Sequence, residues 1–173
     1  DRDKIGKLII NLFSNAIKYT APEGEIQITL KQGYSKDIVP SFKTTYEEGL
    51  IPSEQLSCVL TVKDTGVGIS SESIRHIYER FFQVAGEDIS HLGSGIGLAI
   101  AKSVVLQHRG AIIVSSERLV GTEFIVILPI EHKLSEIKEI TPNFDAKHFI
   151  DSQYNEYLPS DNIPQNEVYT DKD

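Results

Sequence analysis

The first helical pattern of the chain carries an apolar stripe and a polar stripe side by side. From about Asp3 to Tyr19, apolar residues recur at helical spacing, which predicts one face packed against a core. They are Ile5, Leu8, Ile9, Leu12 and Ala16. The polar stripe beside them covers about a third of the helical circle and consists of Asn11, Asn15, Lys18 and Tyr19. Asparagines at the border of a core are costly unless they are hydrogen-bonded or bind a metal. The pattern therefore predicts either a helix that lines a polar site or a surface helix with solvated amides.

A second motif, Asp64-Thr65-Gly66-Val67-Gly68-Ile69, directly follows the predicted strand Val59–Lys63. A carboxylate held at a strand end can accept a hydrogen bond from an exocyclic amine, which favours adenine over guanine. The glycines allow the backbone to approach a base closely because they have no Cβ. The alternative is an ordinary turn at the end of a strand.

A third motif, Gly93-Ser94-Gly95-Ile96-Gly97, precedes a predicted helix from about Ile96 to Gln107. Backbone amides at a helix start can hold phosphate. The motif is not a dinucleotide-binding fingerprint, because no strand precedes it and its register is different. We interpret 83–97 as a mobile lid with glycine hinges. Phe81 and Phe82 precede the lid, as core residues or as its anchors.

The remaining pattern predicts a sheet with one polar excursion. Glu25–Lys31 alternates polar and apolar residues, as a half-buried strand does. Ala111–Ser116 and Thr122–Pro129 predict a hairpin, and Ser71 to about Tyr78 a short helix. The stretch 33–57 is polar and too short for a core of its own, so we interpret it as an insertion outside the sheet.

Composition excludes several classes of function. The chain has 173 residues and a net charge of -8, and residues 131–173 hold ten acidic but four basic side chains. This acidic part predicts a linker or tail, and no basic stripe predicts nucleic-acid binding. No apolar run approaches a membrane span. The single cysteine, Cys58, lies in a predicted strand, and the scattered histidines predict no zinc site.

Taken together, these motifs resemble the ATP-binding catalytic domain of sensor histidine kinases, within the wider family of DNA gyrase, Hsp90-type chaperones and MutL. Residues 11–20 are similar to the asparagine box, 64–69 to the first glycine box, 79–82 to the phenylalanine box and 93–98 to the second glycine box. Gly121-Thr122-Glu123-Phe124 before the last strand also fits. The resemblance covers residues 1–130. It implies a two-layer α/β sandwich of the Bergerat type, with a mixed, mainly antiparallel sheet, helices on one face and a flexible ATP lid.

The resemblance also implies ATP and Mg²⁺ as cofactors and assigns roles to residues. Asn15 is the implied Mg²⁺ ligand, and Asn11, Asn15 and Lys18 form the implied catalytic group at the phosphates. The nucleotide-binding residues by resemblance are Asn15, Lys18, Tyr19, Asp64, Gly66, Gly68, Ile69, Arg80, Phe82, Gly93, Gly95, Gly97 and Leu98. Asp64 would bind the adenine amino group. Gln83 departs from the pattern, because many relatives carry an arginine there, and Arg80 is the candidate replacement.

One position separates a kinase from an ATPase within this family. The gyrase-like ATPases carry a glutamate four residues before the metal-binding asparagine, where it activates water. This chain has Asn11 there, and a neutral amide cannot act as a general base near pH 7. We therefore expect slow hydrolysis and transfer of the γ-phosphoryl to a histidine. None of the five histidines lies in the helical, acidic setting of a phosphoacceptor, and His76 is the nearest candidate.

The resemblance implies a larger protein with further partners. It implies a separate dimerisation domain that carries the acceptor histidine, a homodimer, a response-regulator receiver domain and a cytoplasmic position in a membrane-bound sensor. The acidic tail suggests a hybrid kinase with a receiver downstream. Two alternatives stay open: a serine kinase of the anti-sigma-factor type, and a nucleotide-sensing interaction module without transfer activity.

Overall fold

A computed structural model of the chain describes residues 1–83 and 94–130. The predicted tail at 131–173 and most of the predicted lid, including Gly93, lie outside the described residues. The elements in chain order are α1 (Arg2–Tyr19), β1 (Ile26–Tyr34), β2 (Thr44–Gly49), β3 (Leu56–Asp64), α2 (Gly97–Gln107), β4 (Ala111–Glu117) and β5 (Gly121–Pro129). No helix in these two ranges is long and apolar enough to cross a membrane.

The five strands form one sheet in the order β1-β3-β5-β4-β2. Its four strand pairs are all antiparallel, so the mainly antiparallel sheet is confirmed, and the described residues include no parallel pair. Helices α1 and α2 pack against each other and against one face of the sheet. This arrangement is the two-layer α/β sandwich that the family resemblance implies.

The main core lies between the helices and the sheet. From α1 it takes Leu8, Leu12 and Ala16, which are buried as the helical pattern predicts. Alternate residues of each central strand point to this core, for example Leu60 and Val62 of β3. Asp1 caps α1, since its side chain accepts hydrogen bonds from the backbone N–H groups of Asp3 and Lys4.

The interpretation of 33–57 as an excursion outside the sheet is wrong. This segment forms β2, which pairs with β4 over six residues at one edge of the sheet. It also supplies Ile38 and Ile51 to a second, smaller core on the face opposite the helices. The apolar residues of the segment are too widely spaced to reveal a strand, and only pairing with β4 makes one.

Strand β1 is longer and more exposed than the sequence predicts. It pairs with β3 over nine residues but lies at the other sheet edge. Ile28 is 48% exposed and Leu30 is 68% exposed, so the alternation of apolar residues does not mark a half-buried strand here. Alternation reports which residues share a face of the sheet, but it does not report whether another layer covers that face.

The short helix predicted from Ser71 to Tyr78 is also wrong. The segment is a series of turns, several of which are closed by hydrogen bonds between residues three apart. Ser70 accepts a hydrogen bond from the N–H of Ser73, as a helix cap would, but no helix follows. Ile74, Ile77 and Tyr78 are buried against the main core, so packing fixes the segment without a regular helix.

Candidate functional site

A cleft of about 590 Å³ opens between the C-terminal end of α1, the loop after β3 and the start of α2. Its volume lies in the usual range for small-molecule sites. It brings together eight of the residues predicted from the sequence: Asn15, Lys18, Tyr19, Asp64, Gly68, Ile69, Phe82 and Leu98. A smaller cavity of about 320 Å³ lies on the other face of the sheet and includes none of them.

Asp64 ends β3 and is held in a fixed orientation inside the cleft wall. The residue is 4% exposed, and its Oδ1 accepts hydrogen bonds from the backbone N–H of Gly66 at 2.9 Å and of Thr122 at 3.2 Å. Burial raises the pKa of this carboxyl, and the two N–H donors partly oppose the rise. Within the described ranges no protein group donates to Oδ2. One carboxylate oxygen is therefore fixed by the backbone, and the other is available to a ligand amine.

The loop after Asp64 is locked to the end of α1. The N–H of Val67 donates to the carbonyl oxygen of Tyr19 at 3.1 Å. At Gly66, a Cβ would lie 2.2 Å from that same carbonyl oxygen, so only glycine permits this approach. Gly68 has a φ of +65°, and a Cβ there would lie 2.1 Å from the carbonyl oxygen of Glu117. These contacts fix the loop after the carboxylate to the end of α1, and both line the same cleft.

The C-terminal end of α1 supplies the polar wall. Thr20 ends the helix, and its hydroxyl donates to the carbonyl oxygen of Ala16 at 2.6 Å. Lys18 donates to the hydroxyl of Tyr19 at 3.1 Å, and its ammonium lies 4.7 Å from the centre of that ring. Together with the amide of Asn15, this places one cation and one amide in the cleft wall, as an anionic ligand requires.

The wall on the lid side comes from two chain segments that flank residues 84–93. Phe82 and Leu98 line the cleft and pack against the main core. The N–H of Phe81 donates to the carbonyl oxygen of Gly95 at 3.0 Å and joins the segments at their base. Phe81 itself is 71% exposed with a φ of 65°, so it is an anchor through its backbone and not a core side chain.

Several predicted site residues do not line the cleft. Gly66 and Gly95 shape it through close backbone approaches, and Arg80 is exposed. Asn11 lies against the start of α2, where a Cβ on Gly97 would be 2.8 Å from the Asn11 Oδ1. The proposed contact of Arg80 with phosphate stays a prediction.

Sequence reasoning missed some of the cleft wall. The additional lining residues are Thr20, Ala21, Pro22, Val67, Ile77, Gln83, Thr122 and Phe124. Thr122 faces Asp64 because β3 and β5 pair in that register. The motif Gly121–Phe124 gave a signal for Thr122 and Phe124. The register between distant strands, however, is not visible in the sequence.

The described residues contain no group of three or more His, Cys, Asp or Glu side chains that could hold a metal alone. A site without such a cluster still fits Mg²⁺, because this ion commonly takes few protein ligands and keeps waters and phosphate oxygens. The amide of Asn15 is one neutral oxygen ligand that the cleft offers. A metal held here would therefore depend on a phosphate-bearing ligand.

A buried carboxylate, an amide and a cation that line one cleft of an α/β sandwich fit an ATP-binding domain. The chain belongs to the family described as histidine kinase-, DNA gyrase B- and HSP90-like ATPase, whose model matches residues 1–132. This confirms the family expected from the four motifs.

The relatives are a sensor protein and histidine kinases. Over 130 residues the chain is 35% identical to the sensor protein SrrB of Staphylococcus aureus, which covers 75% of this chain and 19% of that protein. The structure is similar to the mycobacterial sensor histidine kinase MprB, with 34% identity, a TM-score of 0.55 and coverage of 75% and 74%. It is also similar to the catalytic domain of the histidine kinase ThkA, with 26% identity, a TM-score of 0.52 and coverage of 75% and 69%. The chain thus spans about a fifth of the length of the curated relatives it matches.

Proposed function

We propose that the chain is the catalytic domain of a sensor histidine kinase, which binds ATP with Mg²⁺ and transfers the γ-phosphoryl to a histidine on a separate dimerisation domain. The observation that carries the proposal is the placement of Asn15, Lys18 and Asp64 around one cleft. The family and the sensor kinase relatives support the same reaction class.

Recognition of the base rests on Asp64. Its Oδ1 is already occupied by two backbone N–H donors, so its orientation does not depend on the ligand. Oδ2 accepts a hydrogen bond from the adenine 6-amino group. Guanine presents an oxygen at that position, which a carboxylate repels. The site therefore selects ATP over GTP.

Binding of the phosphates rests on the end of α1. Asn15 would provide an oxygen ligand for Mg²⁺, and the ammonium of Lys18 would compensate phosphate charge after it leaves the Tyr19 hydroxyl. The bound Mg²⁺ would neutralise charge that develops on the γ-phosphoryl group. The contribution of the protein is positioning and charge compensation, as in phosphoryl transfer generally.

Transfer is favoured over hydrolysis because the residue four positions before Asn15, where gyrase-like ATPases carry a water-activating glutamate, is not a base. Asn11 occupies that place, and its Oδ1 is turned towards Gly97. A water molecule near the γ-phosphoryl would keep its proton at neutral pH. The phosphoryl group is thus kept for the acceptor histidine.

The partners in this proposal follow from the role of the domain. The acceptor histidine comes from the dimerisation domain of the same protein, which is a homodimer, and the phosphoryl passes on to a response-regulator receiver domain. The protein is a membrane-bound sensor with this domain on the cytoplasmic side.

Incubation with γ-labelled ATP tests the proposal. The chain and Mg²⁺ are mixed with the separately produced dimerisation domain of the full-length protein. We expect acid-labile, base-stable label on a histidine of that domain, and none with the Asp64→Asn variant. Label on serine would instead favour the anti-sigma-factor type of kinase. Absence of ATP binding by the wild-type chain would overturn the proposal.

A further inference from the structure

A polar cluster outside the nucleotide cleft connects β2 to both segments that carry the lid-side wall. Its members are Tyr46 and Glu48 of β2, Tyr78 of the turn segment and Lys102 of α2. Glu48 Oε1 accepts hydrogen bonds from Lys102 Nζ and from the Tyr46 hydroxyl, each at 2.7 Å. The side chains of Lys102 and Glu48 are 28% and 25% exposed, so water screens this ion pair less than a surface pair.

Tyr78 completes the cluster through its ring. The ring centre lies 6.1 Å from that of Tyr46 and 5.9 Å from the Lys102 ammonium. Tyr78 is 6% exposed, and its hydroxyl is buried with no hydrogen-bond partner among the residues that the structure describes. A buried unpaired hydroxyl is costly. Tyr78 is therefore held in place by its ring contacts, and not by a hydrogen bond of its own.

Both segments continue from the cluster directly into the nucleotide cleft. Ile77, next to Tyr78, and Phe82, four residues later, line the cleft on one side of residues 84–93. On the other side Leu98 lines the cleft, one helical turn before Lys102. The turn segment has no regular helix to support it, so it depends on its packing for its position.

We propose that Glu48 and Tyr46 are positioning residues for nucleotide binding: β2 acts as a brace that holds α2 and the turn segment at the spacing the cleft needs. This inference rests on the proposed function and gives the segment 33–57 a role in it. The brace acts through Lys102 and Tyr78 on the lid-side wall formed by Phe82 and Leu98. None of the four cluster residues lines the cleft itself.

The test is ATP affinity in the full chain, measured by calorimetry with Mg²⁺. Glu48→Gln keeps the shape and an acceptor oxygen but removes the charge that holds Lys102. We expect about tenfold weaker ATP binding, and faster hydrogen exchange in residues 77–83. The matched control is Glu54→Gln, which breaks the exposed Lys36–Glu54 pair within the same segment. It should leave ATP affinity unchanged.

A double-mutant cycle separates a brace from general destabilisation. Lys102→Met should weaken binding about as much as Glu48→Gln, and the double variant should be no worse than either single variant, because both remove one contact. Thermal melts establish that each variant is folded at the temperature of measurement. If Glu48→Gln does not fold, Tyr46→Phe takes its place, because it removes only the hydroxyl that donates to Glu48. Tyr46→Phe should also weaken ATP binding.

The outcomes distinguish this inference from the proposed function. If the wild-type chain does not bind ATP, the proposed function fails. If the wild-type chain binds ATP and the folded Glu48→Gln variant binds it equally well, the brace is overturned. Additive losses in the cycle would also overturn it, since they would show that Glu48 and Lys102 act independently.

Discussion

At the scale of single residues, the carboxylate of Asp64 has two opposing effects. It is almost fully buried without a cation beside it in the described residues, and only two backbone N–H groups compensate its charge. An ionised carboxylate in that environment costs stability. The same burial leaves one oxygen free in the cleft wall. A side chain that reduces the stability of the fold and points into a cleft is typical of a binding site.

Asp64→Asn should abolish measurable ATP binding and leave the fold intact. The amide oxygen can still accept the N–H groups of Gly66 and Thr122, but the amide cannot supply a charged acceptor to the adenine amine. We expect a melting temperature equal to or above that of the wild type. Differential scanning calorimetry and ATP titration measure both quantities, and Asp37→Asn on the surface is the control. Wild-type affinity in Asp64→Asn would contradict the role of Asp64.

Stability should also depend on pH through Asp64. Its pKa in the folded chain lies above the ordinary value of 3.8, so the folded state binds this proton more readily than the unfolded state. The free energy of unfolding of the wild type should therefore fall, relative to Asp64→Asn, as pH rises from below 3.8 through the raised value. Urea unfolding at several pH values tests this. If the difference in free energy of unfolding between the wild type and Asp64→Asn does not change with pH, or changes in the opposite direction, the raised pKa is contradicted.

Gly68→Ala should strongly destabilise the chain. The positive φ and the 2.1 Å approach to the Glu117 carbonyl oxygen leave no room for a methyl group. We expect a loss of about 2 kcal/mol or more in the free energy of unfolding. Gly33→Ala is the matched control, because the nearest atom to its Cβ is 3.9 Å away. Chemical denaturation measures both losses. Equal losses in the free energy of unfolding would show that the close contact with the Glu117 carbonyl oxygen does not restrict residue 68.

At the scale of elements, the two edges of the sheet differ from what the sequence pattern indicates. The alternating β1 is largely exposed, whereas β2, which has no clear pattern, joins the sheet and packs Tyr46 against the main core. The central strands β3, β4 and β5 are correctly predicted because they are buried on both faces, which leaves continuous apolar runs. An edge strand is buried on one face at most, so the apolar pattern in its sequence is a weaker indication of a strand.

Leu30→Ala and Leu60→Ala form a matched test of this difference. The two leucines are direct partners in the β1–β3 register, but Leu60 is 9% exposed and Leu30 is 68% exposed. Leu60→Ala should cost about 2–5 kcal/mol, and Leu30→Ala less than about 1 kcal/mol. Urea unfolding measures both. Comparable losses would mean that another layer covers β1 in solution.

At the scale of the whole molecule, no histidine of the described part is placed to receive phosphate. His76 is the nearest candidate from the sequence, and its Nδ1 lies 2.7 Å from Glu79 Oε1 on an exposed turn. Its ring packs against that of Phe82, with 5.6 Å between ring centres, but His76 itself does not line the cleft.

The chain alone should therefore not phosphorylate itself on His76. After incubation with γ-labelled ATP and Mg²⁺, we expect no base-stable label above the level of Asp64→Asn. His76→Gln should give the same result as the wild type. Label that appears on the wild type and disappears in His76→Gln would show that this histidine reaches the γ-phosphoryl.

The sequence alone determined the residue types of the site and the central elements. A helix with a polar stripe, a carboxylate at a strand end and glycines beside it are local features, and hydrophobic periodicity and short motifs report local features directly. The motifs and the family resemblance that they carry identified eight of the residues that line the cleft. The long, periodic helix α1 was predictable in type and nearly in its bounds.

Only the tertiary structure decided which of these parts meet. The backbone donor of Thr122 reaches Asp64 because β5 pairs with β3 in one register, and Asn11 faces Gly97 because two helices pack together. The brace from β2 depends on contacts among residues more than 20 positions apart. Such contacts are set by the fit of whole elements around a shared core, which leaves no periodic trace in the sequence of any one of them.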